Sequence, residues 1–90
     1  MIKLIKIKKP GERYSIIDTN KITAYDVGYL GEVCKKHYSV VTIKTIDGRR
    51  EIIISIKGVP LDVCKKIEDF LIYPKDYMAS ILVLEDHELA

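Results

Sequence analysis

Two runs rich in β-branched residues, Val40 to Ile46 and Glu51 to Ile56, lie on either side of Asp47-Gly48. An Asp-Gly pair in that setting predicts a β-hairpin closed by a type I′ turn, which needs positive φ at both central positions. A two-residue loop also sets the register: Ile46 opposite Arg49, Lys44 opposite Glu51, Ile43 opposite Ile52, Val41 opposite Ile54. One face then carries Val41, Ile43, Ile52, Ile54 and Ile56; the other carries Thr42, Lys44, Glu51, Ile53 and Ser55. The first is the core face, and a slip of one residue would turn all five outward.

The other apolar positions extend this into a sheet. Residues 1 to 9 alternate apolar side chains with Lys, but the phase changes between Leu4 and Ile5. That predicts a bulged strand or one covered in part on both faces, and Lys3, Lys6 and Lys8 fit a guarded sheet edge. Pro10-Gly11 marks a turn, residues 13–17 a second strand, and Asp18-Thr19-Asn20-Lys21 a turn in which side chains bond their own backbone. Residues 22–27 read as a short third strand, with Ile22 and Ala24 on one face and Tyr25 and Val27 on the other. Gly28 to His37 has no clear period and reads as a loop, the kind of segment that often carries function.

After Gly58-Val59 the period becomes helical. Pro60 suits the first helical position. Val63, Cys64, Ile67, Phe70 and Leu71 fall within about 120° of arc, so a long helix over 60–73 is expected to lay this stripe on the sheet. Residues 79–84 read as a last strand with apolar side chains on both faces, followed by an acidic tail at about 85–90. The fold expected is α+β: a mostly antiparallel, five- or six-stranded twisted sheet, open or half-barrel, packed by one long helix.

Composition adds limits. Ninety residues make one small domain, and 48% apolar with 31% charged residues is a globular balance. No apolar run near the start or elsewhere reaches the length of a signal peptide core or a membrane span, so a cytoplasmic protein without a membrane partner is expected. Cys34 and Cys64 read as free thiols, although a pairing between them stays open. Net charge is +2, with the basic excess in the first half of the chain.

Candidate chemistry is sparse. Cys34 and His37 have metal-knuckle spacing, and Cys64 with His87 would complete four ligands, but Cys64 belongs to the helix stripe and His87 to the tail. No metal or other cofactor is expected. Gly28-Tyr29-Leu30-Gly31 resembles the Gly-x-x-Gly loop of KH nucleic-acid-binding domains, which joins two helices where here the flanks read as strands. A basic and aromatic surface of Tyr25, Tyr29, Lys35, Lys36, Tyr38, Arg49 and Arg50 would bind single-stranded nucleic acid by stacking and phosphate contacts. No nucleophile–base motif or phosphate-cradling Gly-rich loop is present, so catalysis is not expected.

Met78, Ile81, Leu82, Val83 and Leu84 remain. Apolar on both faces of a strand, they predict a homodimer formed through the segment after Pro74. The non-catalytic interaction or regulatory module is thus the leading expectation, and the small nucleic-acid-binding protein the alternative. The order Ile2 to Ile5, then Ile17-Asp18-Thr19-Asn20-Lys21-Ile22, then Val41-Thr42-Ile43 with Asp47-Gly48, then an amphipathic helix, resembles small FlbD-type proteins of flagellar gene clusters over residues 1–73. The chain departs from that pattern at Gly28–His37 and after Pro74. The resemblance implies an interaction or regulatory role and transfers no functional residue.

Overall fold

The computed structural model describes residues 3–48, 51–72 and 80–89. Its elements are β1 (Lys3–Lys9), β2 (Arg13–Asp18), a 3₁₀ turn (Thr19–Lys21), β3 (Ile22–Val33), β4 (Lys36–Thr45), β5 (Ile52–Lys57), α1 (Pro60–Ile72) and β6 (Ser80–Glu85). The class is α+β, with six strands and one helix among the described residues. The strands do not form the single sheet expected. They form two three-stranded sheets, ordered β2-β1-β6 and β3-β4-β5. All pairs are antiparallel except β1 with β6, which run parallel.

That parallel pair explains the first strand. β1 is the central strand of its sheet, and its ladders to β2 and β6 run from Lys3 to Lys9 without a shift. No bulge is needed: Ile5 and Ile7 are fully buried, while Leu4 is half-buried on the other face. Nor do its lysines guard an edge. Lys3 Nζ donates to the carbonyls of Phe70 (2.8 Å) and Leu71 (3.3 Å), near the end of α1 where carbonyls lack intrahelical partners. Lys6 holds its ammonium 4.5 Å from the centre of the Tyr14 ring.

The register expected of the β4–β5 hairpin is observed: Val41 pairs with Ile54 and Ile43 with Ile52. Lys44 Nζ lies 3.5 Å from Glu51 Oε1, as that register requires. The turn itself differs. Gly48 N–H donates to Thr45 O (3.0 Å), so Ile46 and Asp47 are the central residues; Gly48 has φ +63° while Asp47 stays out of the left-handed region. The expected Ile46–Arg49 pair involves Arg49, outside the described residues.

A two-residue turn with positive φ at both positions occurs elsewhere, at Cys34 (φ 52°) and Lys35 (φ 62°). It joins β3 to β4 through the Val33–Lys36 pair, so Gly28 to His37 is the end of a long hairpin and not a loop. Two shifts in the ladder, between Ile22 and Ala24 and between Tyr29 and Gly31, obscure the strand's period. The first leaves Ile22, Tyr25 and Val27 packed together on the core.

The two sheets enclose one core. Ile5, Ile7, Ile17 and Leu84 come from the first sheet, Val41, Ile43, Ile54 and Ile56 from the second, and Val63 and Ile67 from α1. Each such side chain contributes about 1.5–3 kcal/mol on leaving water. The expected helical stripe is the one used, with Phe70 and Leu71 packed at its margin. The expected position 73 lies outside the described residues. No described helix is long and apolar enough to cross a membrane.

The two sheets are joined by the chain's end. His87 N–H donates to Ser55 O (2.9 Å), and Asp86 Oδ1 accepts from the backbone N–H groups of Ser55 (3.1 Å) and Glu88 (2.9 Å). Asp86 is buried, so this stretch is tied down as far as Glu88 and is not a loose acidic tail.

Candidate functional site

Along β6, register divides the residues proposed for self-association. Leu82 pairs with Ile5 and Leu84 with Ile7, placing both on the core side; Leu84 is 1% exposed. They therefore cannot form an outer contact surface. Ile81 pairs with Leu4 and Val83 with Lys6, on the opposite face. Met78 lies outside the described residues.

The same outer face continues across β1 to β2, where Ile16 pairs with Lys6, Tyr14 with Lys8 and Asp18 with Leu4. The rows read Ile16–Lys6–Val83 and Asp18–Leu4–Ile81. Ile16, Ile81 and Val83 are 63%, 57% and 50% exposed. Single exposed apolar side chains are common, but neighbouring ones on three paired strands form a continuous patch. Lys6 crosses its middle, yet its ammonium is drawn to Tyr14, leaving the aliphatic stem over the sheet. Sequence pattern alone could point to Ile81 and Val83; Leu4, Ile16 and Tyr14 join them only through strand pairing.

Of the basic and aromatic residues, Tyr25, Tyr29, Lys35, Lys36 and Tyr38 lie among the described residues. Tyr25 is half-buried on the core side, and burial raises its hydroxyl pKa above the usual value, reinforced by the nearby Cys64 thiol and Glu68 carboxylate. Tyr29 is exposed and its hydroxyl is 2.9 Å from His37 Nδ1. Tyr38 lies on the opposite face of β4 from the core residues Val41 and Ile43, and meets His87 edge to face at 5.2 Å. Lys35 is at the hairpin tip and Lys36 begins β4. The ten residues of β4 separate Lys36 from the next turn, about 30 Å at strand rise. Arg49 and Arg50, which follow that turn's Gly48, lie outside the described residues. Among the described residues, Tyr38 and Lys36 share a neighbourhood, while Tyr25 lies on the core side of β3.

The possible metal ligands also diverge. Cys34 is exposed at the hairpin tip and Cys64 is half-buried on α1. Among the described residues, no three His, Cys, Asp or Glu side chains gather closely enough to hold an ion.

No protein-family model matches the chain, and neither does any curated protein or solved structure.

Proposed function

We propose that this protein is a non-catalytic interaction module whose copies pair through the outer face of the β2-β1-β6 sheet. The observation that carries this reading is the run of exposed apolar side chains, Ile16, Ile81 and Val83, in adjacent rows of that sheet. α1 and the second sheet cover the inner face, with Ile5, Ile7 and Leu84 already buried there. A second copy supplies the matching apolar surface, and a two-fold arrangement places the same residues on both sides of the contact.

Light scattering on the parent and on Ile81→Asp and Val83→Asp tests this. The expected result is a dimer at tens of micromolar that each substitution converts to a folded monomer. A monomeric parent, or a dimer unaffected by either change, would defeat the proposal. Both residues are about half exposed, so neither substitution buries a charge within the fold.

A further inference from the structure

A second feature lies at the seam between the sheets. β5 and β6 are linked at Ser55 by Asp86 and His87, and beyond that link an open cleft of about 550 Å³ lies between them. Lys8, Lys36, Lys57 and Lys66 line it, from β1, β4, β5 and α1. Among the described residues, none of these four ammonium groups has a carboxylate at ion-pair distance. Elsewhere the protein does pair basic side chains with acids, Arg13 with Glu88 and Lys44 with Glu51. Among the described lining residues, Glu85 is the one carboxylate against four lysines, so the described lining is net positive.

The cleft also has an aromatic wall. Tyr38 and His87 meet edge to face at 5.2 Å, and the His87 backbone is held by Ser55. Ile56 and Leu84, both buried, form part of the lining. Lysines that only kept two strand edges apart would require neither the aromatic pair nor a cavity. The volume falls in the range of small-molecule sites.

We propose that this cleft binds a phosphate-bearing ligand of mononucleotide size. The lysines take the phosphate oxygens, while Tyr38 and His87 receive the planar group. Charge complementarity selects an anion, and the aromatic wall selects one with a flat ring. The cleft opens beside the proposed pairing face, with Lys8 and Val83 bordering both. Lys57 and Lys66 belong to other elements, so changing them tests ligand binding separately from self-association.

The test is an NMR titration of the full chain at low ionic strength with adenosine 5′-monophosphate, adenosine, inorganic phosphate and a short single-stranded oligodeoxynucleotide. The monophosphate is expected to give saturable shifts at residues 36–38, 56–57 and 83–87, with adenosine at least about tenfold weaker. Added salt should weaken binding, as expected for exposed charges. Lys57→Glu and Lys66→Glu should each weaken it about tenfold, while Lys21→Glu, outside the cleft, changes it less than about twofold. Absence of saturable shifts with the monophosphate would overturn the proposal. So would equal weakening by Lys21→Glu, which would indicate general charge attraction. An oligonucleotide that binds these residues more tightly than the monophosphate would replace the small ligand with a nucleic-acid strand.

Discussion

The two sheets contribute alike to the core but differ on their outer faces. In β3-β4-β5 the outer side of β4 carries Lys36, Tyr38, Val40, Thr42 and Lys44, and the chain's end lies along the β5 edge. Ile53 is the exposed apolar residue of β5 on that side. In β2-β1-β6 the outer side brings Leu4, Ile16, Ile81 and Val83 together around one lysine. Both sheets have the alternation that builds a core, so alternation alone does not identify the face available to a partner. Strand pairing determines whether exposed apolar residues stand alone or form a patch.

The most damaging substitutions should be on the shared core. Ile54→Asp and Ile67→Asp each place an unpaired charge where a side chain is 1% or 2% exposed, and should cost more than about 4 kcal/mol in chemical denaturation. An unchanged unfolding midpoint would show that the two sheets do not share this core. Adjacent residues on β6 should differ sharply: Leu84→Asp should be comparably destabilising, while Val83→Asp should alter monomer stability by no more than about 1 kcal/mol. Equal losses would mean that Val83 does not lie on the outer face of β6.

Two smaller effects probe how the second sheet is finished. Asp86→Ala removes the acceptor for two backbone N–H groups, including that of the buried Ser55, and should cost about 1–3 kcal/mol. A thermal melt matching the parent's would show that the seam is not held there. At the β3–β4 turn, Cys34 and Lys35 occupy left-handed conformations that favour Asn and Gly. Cys34→Asn with Lys35→Gly should therefore stabilise the protein by about 1 kcal/mol, read as a higher melting temperature. A lower one would mean that the native turn gains something from these side chains.

Elements with regular local patterns were legible in the sequence. The β4–β5 register follows from β-branched alternation and the Lys44–Glu51 pair, the helix from its apolar stripe, and the turn after β2 from Asp18, whose Oδ1 accepts from Asn20 N–H at 2.9 Å. The far half of β3 was not legible, because the register shift between Tyr29 and Gly31 interrupts its period and its turn lacks Asn or Gly. The division into two sheets was also hidden: it depends on β1 pairing with β6 across most of the chain, which no local pattern encodes. The outer patch was visible only in part. Ile81 and Val83 stood out as surplus apolar positions, but Ile16 became their neighbour only through β1.

In the proposed dimer a second copy covers the patch on β2-β1-β6 and leaves the outer face of β3-β4-β5 open. An isotope-filtered NOE experiment on a mixture of labelled and unlabelled chains, at hundreds of micromolar, tests it most directly. Intermolecular methyl contacts are expected among Leu4, Ile16, Ile81 and Val83, and none involving Val40 or Ile53. Intermolecular contacts centred on Ile53, or no intermolecular contacts, would contradict it.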